Sequence, residues 1–206
     1  MKNCWDKAYS ENSITELGWY EKLPSPSLSL IEKYLSDKTA LIIDAGCGET
    51  TLIQELLNRD YSNIIGIDMS STAINYLNRN IKLKNNNSIN LSLKCEDLTN
   101  SITFSKRGSL WHDRAVFHFL QEKDKQESYK KNLINFLEPN GIFIISCFST
   151  DNIAEKCNNL PVKKYDSKGL QNFFSDSFDF LESFIYDYIM PWGDTRKYLY
   201  CVFRKK

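Results

Sequence analysis

The run Leu41-Ile42-Ile43-Asp44-Ala45-Gly46-Cys47-Gly48-Glu49-Thr50 carries the most chemistry in this sequence. A short apolar strand ends in a carboxylate, two glycines turn the chain, and Leu52, Ile53, Leu56 and Leu57 then recur at helical spacing. The glycines permit a tight turn and leave room for a ligand where a Cβ would stand. The carboxyl end of a first strand is also where open α/β sheets bind ligands. Asp68, 20 residues past Gly48, closes a second apolar run, Ile64-Ile65-Gly66-Ile67. There an acidic side chain accepts both ribose hydroxyl protons. Glu96-Asp97 follows a third, alternating run from Ile89 to Lys94 and is placed for an adenine amino group. Together these residues point to an adenosine-containing ligand.

Which adenosine ligand is narrowed by what is missing. A dinucleotide fingerprint wants a small residue three places after the second glycine, and Thr51 stands there. The Gly-Lys-Ser/Thr ending of a phosphate-binding loop is absent too. Asp44 would repel a pyrophosphate but suits a cationic amino group. A ligand with ribose, adenine, an ammonium and a sulfonium fits better than NAD.

The elements that must position these residues alternate. After Asp68, Ser70 is a good N-cap, with Ala73, Ile74, Leu77 and Ile81 on one helical face. Leu110 to Arg114 is a fourth strand. Asp124 to Leu137 reads as a helix with Asp124 and Glu127 at capping-box spacing and Tyr129, Leu133 and Phe136 toward the core. Pro139-Asn140-Gly141 breaks it before Ile142 to Ile145, a strand apolar on both faces. Such strands sit in parallel sheets covered by helices on both sides, which gives a doubly wound α/β fold. The tail differs: Phe178 to Met190 and Lys197 to Phe203, joined by Pro191-Trp192-Gly193-Asp194, read as a terminal antiparallel hairpin. The stretch to Pro26 is aromatic and irregular, and Leu28, Ile31 and Leu35 suggest a leading helix. Asn85-Asn86-Asn87 reads as a polar surface loop. One domain is expected, with a lid and leading helix over 1–36, a cofactor-binding core over 37–150, and a substrate-side segment and hairpin over 151–206.

Composition bounds the partners. The 206 residues suit one domain, and 26 basic against 26 acidic side chains argue against a nucleic-acid or anionic-membrane binder. No apolar run approaches the roughly 20 residues of a membrane span, and the first residues carry no secretory signal. The six cysteines are scattered without a Cys-x-x-Cys pair, and the histidines are His112 and His118 alone. Free thiols in a reducing cytoplasm are expected, with no metal site, in a monomer or homodimer.

Asp44-Ala45-Gly46-Cys47-Gly48 resembles the first motif of class I S-adenosylmethionine-dependent methyltransferases, and Ile67-Asp68-Met69-Ser70 the second. Cys95-Glu96-Asp97-Leu98 is similar to the segment that meets the adenine in that family, and Leu137-Glu138-Pro139-Asn140-Gly141-Ile142 to the turn before the fifth strand. The resemblance covers nearly the whole chain. It implies a single-domain, Rossmann-like, doubly wound seven-stranded sheet in the order 3-2-1-4-5-7-6, with strand 7 antiparallel, and S-adenosyl-L-methionine as cofactor. Trp111 to Leu120 and Lys156 to Val162 are similar to segments of small bacterial methyltransferases with unassigned acceptors. Where the first motif usually has a small residue after Gly48, this sequence has Glu49-Thr50.

The expected cofactor contacts are Trp19, Asp44, Ala45, Gly46, Cys47, Gly48, Asp68, Met69, Asp97, Leu98 and Asp113, with Cys47 offering its backbone N–H and Asp113 meeting the amino or carboxyl group. Tyr20, Arg114 and His118 are expected on the substrate side. Arg114 either holds an acidic substrate group or makes a lid ion pair. His118 is either a base near neutral pH or, the preferred reading, a satisfied helix residue. Trp5, Tyr9, Trp19 and Tyr20 form an aromatic cluster suited to covering a sulfonium, with Trp192 as a further closing element. The expected activity is methyl transfer to a small molecule. The alternatives are methylation of protein lysine side chains, an NAD-dependent oxidoreductase, and a non-catalytic cofactor-binding protein.

Overall fold

The computed structural model describes residues 2–83 and 89–206, so the Asn85-Asn86-Asn87 loop lies outside the described residues. The chain opens with helices α1 (Lys2–Glu11) and α2 (Ser25–Tyr34), joined by a stretch containing one 3-10 turn. Strand β1 (Ile42–Ala45), helix α3 (Leu52–Asn58), strand β2 (Asn63–Asp68), helix α4 (Ser71–Asn80) and strand β3 (Asn90–Cys95) follow. Then come β4 (Gly108–Arg114), a 3-10 turn over Phe117–Phe119, α5 (Lys123–Phe136) and β5 (Leu137–Phe148). A small hairpin of β6 (Lys156–Cys157) and β7 (Leu160–Pro161) precedes α6 (Ser167–Phe174), β8 (Phe178–Ile189) and β9 (Thr195–Lys205).

The main sheet has seven strands in the order β3-β2-β1-β4-β5-β9-β8. With the β6–β7 hairpin set apart, this is the expected 3-2-1-4-5-7-6. β1 to β5 run parallel, and β9 enters antiparallel between β5 and β8.

Each helix goes to one face because the strands alternate. Ile42 and Ile64 pack in one layer with α2, α3 and α4, and Ile43, Trp111, Phe143 and Ile145 in the other with α5 and α6. The second layer is aromatic at its centre. Trp111, Tyr129, Phe136 and Phe143 are fully buried, and Trp111 Nε1 donates to Tyr129 Oη at 2.9 Å. Burial of one such side chain contributes about 1.5–3 kcal/mol.

Three local readings are corrected. α5 is capped at Glu122, with no side-chain capping bond, and Asp124 lies inside its first turn. The amino-terminal stretch is not irregular throughout, since Trp5, Ala8 and Tyr9 form the inward stripe of α1. Ser167–Phe174 is a further helix, capped by Asp166, whose carboxylate accepts from Gly169 N at 2.7 Å. α1 is fastened by Asp6, whose Oδ1 accepts from Ser70 Oγ at 2.7 Å and Thr72 N at 3.2 Å at the start of α4. A carboxylate is favoured there by the exposed N–H groups and the helix dipole.

Candidate active site

Two adjoining clefts open at the carboxyl ends of β1, β2 and β4. The outer, of about 740 Å³, is lined by Trp5, Tyr9, Trp19, Asp68, Met69, Glu96, Asp97, Leu98, Arg114, Val116, Phe119, Leu120 and Cys157, among others. The inner, of about 570 Å³, is lined by Tyr20, Glu21, Ser27, Asp44, Gly46, Cys47, Gly48, Glu49, His112 and Arg114, among others. Tyr9, Trp19, Gly46 and Arg114 border both.

The glycine turn is built by β2. Gly46 N and Cys47 N both donate to Ile67 O, at 2.7 and 3.0 Å, so the Cys47 N–H is already used within the sheet. This replaces its expected role toward a ligand. Gly46 and Gly48 both have positive φ, at 71° and 51°. A Cβ on Gly46 would collide with Val116 Cγ2, and one on Gly48 with the Tyr9 hydroxyl. The close approach that demands glycine is therefore made by the protein's own side chains. Ala45 lies beneath this turn, fully buried in the sheet.

Asp68 is held from two sides. Gly48 N donates to Oδ2 and Ser70 N to Oδ1, both at 2.8 Å. Each oxygen keeps a lone pair toward the outer cleft. Burial outweighs these bonds and pushes its pKa up to about 6. Asp97 Oδ1 accepts from Thr99 N and Oγ1, both at 2.8 Å. Glu49, which departs from the usual small residue, is raised by burial to about 7.

Asp44 carries the clearest sign of a ligand. Its Oδ1 is 2.8 Å from His112 Nδ1, while Oδ2 is buried without a partner in the inner cleft. A buried acceptor left unmade costs roughly 1–3 kcal/mol, so a donor belongs there. Arg114 separates the clefts. Its Nε is 3.0 Å from Glu21 Oε2 at an angle that misses a hydrogen bond, and Nη1 donates to Trp19 O at 3.1 Å. The rings of Tyr188 and Tyr198 stack beneath it, and Nη2 is buried without a partner. Burial works against its charge, but Glu21 together with Tyr198, Tyr200 and Tyr188 outweighs this and raises its pKa.

Asp113 and His118 are brought elsewhere. Strand alternation turns Asp113 to the face opposite His112 and Arg114. There it accepts from Tyr129 Oη at 2.6 Å, Val116 N at 3.0 Å and Phe117 N at 3.2 Å, fully buried and outside both clefts. Its carboxylate organises the turn after β4 and is not presented to a cofactor. His118 is fully buried against Phe119 and Phe148, and Phe148 N donates to its Nδ1 at 3.2 Å. Burial pushes its pKa down to about 3, so it is neither a base near neutral pH nor a residue that lines either cleft.

Trp5, Tyr9 and Trp19 pack together along the outer cleft, with ring centroids 5.4 to 6.3 Å apart and Trp19 edge to face with the other two. Trp192 is on another surface, against Gly18, and borders neither cleft.

The family model for the methyltransferase domain matches residues 36–198. The chain belongs to this methyltransferase family. Its sheet order agrees, and S-adenosylmethionine is its methyl donor. The human protein "EEF1A lysine methyltransferase 2" is 27% identical over 191 residues, covering 86% of this chain and 74% of that protein. A Methanosarcina mazei structure titled as a SAM-dependent methyltransferase superposes with a TM-score of 0.70 at 17% identity, covering 85% of this chain and 96% of that one. The N-methyltransferase NodS of Bradyrhizobium japonicum, with S-adenosyl-l-homocysteine, gives 0.71 at 12% identity, covering 99% and 97%. Among the described residues of this methyltransferase no helix is long and apolar enough to cross a membrane.

Sequence reasoning missed His112, Ser27, Glu21 and Glu49 of this methyltransferase. His112 was legible in part, because it shares the alternation of Arg114 on β4. Ser27 and Glu21 carry no motif, and only the docking of α2 and its preceding loop onto the sheet reveals them.

Proposed function

We propose that the two clefts form one methyl-transfer site, with S-adenosylmethionine spanning them and a small-molecule acceptor in the outer one. The orphaned Asp44 Oδ2 and the spare lone pairs of Asp68 support the cofactor's fit. In this reading Asp68 takes the ribose hydroxyls, and Met69, Asp97 and Leu98 flank the adenine. Asp44 takes the amino group, while Gly46, Cys47 and Gly48 form the floor by shape and Ala45 packs beneath them. Bound there, the cofactor supplies a methyl group on a sulfonium, open to in-line displacement.

The chain's own residues then orient and exclude water. Trp19, with Trp5 and Tyr9, walls the cleft with aromatic faces, which attract a cation. Arg114 borders the outer cleft, where its unpartnered Nη2 suits an anionic acceptor group, while Tyr20, expected on the substrate side, lines the inner cleft instead. The observation that carries the small-molecule reading is the lining: Trp5 and Tyr9 of α1, Phe119, Leu120 and Cys157 give the outer cleft apolar walls. An apolar recess suits a compact acceptor better than a protein surface. The domain division at residues 36 and 150 follows the same reading, with 1–36 as lid.

A second reading, methylation of protein lysines, is favoured by the name of the human relative. Calorimetric titration with S-adenosylmethionine, S-adenosylhomocysteine and NAD tests the cofactor, and binding of the first two alone is expected. Incubation of a cell extract with methyl-tritiated S-adenosylmethionine then tests the acceptor. Label in the small-molecule fraction is expected; label in protein lysines would overturn the small-molecule reading in favour of the second.

A further inference from the structure

Asp44 and His112 are register partners on neighbouring parallel strands, β1 and β4. Their side chains share the face covered by α2. His112 Nδ1 lies 2.8 Å from Asp44 Oδ1, and Nε2 lies 2.8 Å from Ser27 Oγ on α2. Ser27 Oγ in turn lies 3.3 Å from Tyr200 Oη on β9. All three members are almost fully buried, at 3% exposure for Asp44, 2% for His112 and 0% for Ser27.

With Asp44 as acceptor, one proton assignment satisfies the whole line. Tyr200 Oη donates to Ser27 Oγ, Ser27 Oγ to His112 Nε2, and His112 Nδ1 to Asp44 Oδ1. A single atom is left over: Asp44 Oδ2, buried in the inner cleft without a partner. The order Ser-His-Asp is that of a hydrolytic triad, but Ser27, although it lies at the wall of the inner cleft, has no exposed surface for a carbonyl to reach. The line orients a carboxylate and has no access to a nucleophilic reaction.

We propose that His112, braced by Ser27, is a positioning residue that turns Asp44 Oδ2 toward the amino group of the methyl donor, and so tethers the amino-acid end of the cofactor to α2. This rests on the reading of the inner cleft as the amino-acid end of the S-adenosylmethionine site. His112 touches no reacting atom. It acts through Asp44 by removing the rotations that would let the carboxylate bond elsewhere.

The test is calorimetric titration with two ligands that differ at the amino-acid group. S-adenosylhomocysteine carries it and 5′-methylthioadenosine does not. His112→Leu is expected to weaken S-adenosylhomocysteine roughly tenfold or more, the scale of one charge-assisted bond, and to leave 5′-methylthioadenosine within about twofold. His112→Asn, whose amide nitrogen takes the Nδ1 position, is expected to restore S-adenosylhomocysteine to within about threefold of wild type. If His112→Leu does not fold, Ser27→Ala carries the same test, with a loss of about two- to fivefold confined to S-adenosylhomocysteine. Equal weakening of both ligands, or no weakening of either, would overturn the positioning role. A wild-type protein that binds neither ligand would overturn the cofactor reading itself, and this proposal with it.

Discussion

Asp68 and Asp113 invite comparison. Both stand at the carboxyl ends of strands, both are buried, and burial pushes both to about 6. Asp68 gives each oxygen one backbone N–H and keeps the rest of its capacity toward the outer cleft. Asp113 faces the α5 layer, where the Tyr129 hydroxyl and the Val116 and Phe117 N–H groups surround it. The pKa alone therefore does not mark a functional carboxylate. What separates the two is the face of the sheet and the capacity left unused.

Substitution at Asp113 should break the comparison most strongly. Asp113→Ala removes the acceptor of three buried donors, and a loss of roughly 3–5 kcal/mol in urea unfolding is expected, with cofactor affinity unchanged in the fraction that folds. Asp68→Ala should do the reverse. Two charge-assisted bonds worth roughly 1.5–3 kcal/mol each are lost to the ligand, so titration should show S-adenosylhomocysteine weakened more than tenfold, with a smaller shift in unfolding than at Asp113.

The same carboxylate predicts a pH dependence. Ribose hydroxyls donate, so they bind the ionised form of Asp68. Affinity should be nearly fully developed from about one unit above 6, be halved near 6, and fall by up to about tenfold per unit below it. Titration between pH 5 and 7.5 checks this, and Asp68→Asn should abolish the step. Any separate step near 7 belongs to Glu49 and should vanish in Glu49→Gln.

The smallest expected effect is on the turn that Asp113 organises. Ala115 has φ of 67°, a left-handed conformation that costs an alanine and not a glycine. Ala115→Gly should raise stability by about 0.4–1 kcal/mol in the same unfolding assay.

Much of this was legible in the residues themselves. Apolar periodicity separated strands from helices, glycine spacing marked the turn at Gly46 and Gly48, and acidic residues at strand ends singled out Asp44, Asp68 and Asp97, which border the two clefts. Those features depend on local conformation and alternation, which a sequence carries directly. The terminal hairpin was legible for the same reason.

The tertiary structure decided the rest, because it depends on which elements dock on which face. A one-residue step along β4 separates Arg114 in the clefts from Asp113 beneath them. The Cys47 N–H looked free in the sequence, but β2 supplies its acceptor in Ile67 O. His118 lost its acid–base role to burial between Phe119 and Phe148. The line Ser27–His112–Asp44 joins residues from α2, β4 and β1, separated by up to 85 positions. Sequence fixes which side chains carry donors and acceptors. Only packing decides which remain unpaired, and the unpaired Asp44 Oδ2 and Arg114 Nη2 lie on residues that border the clefts.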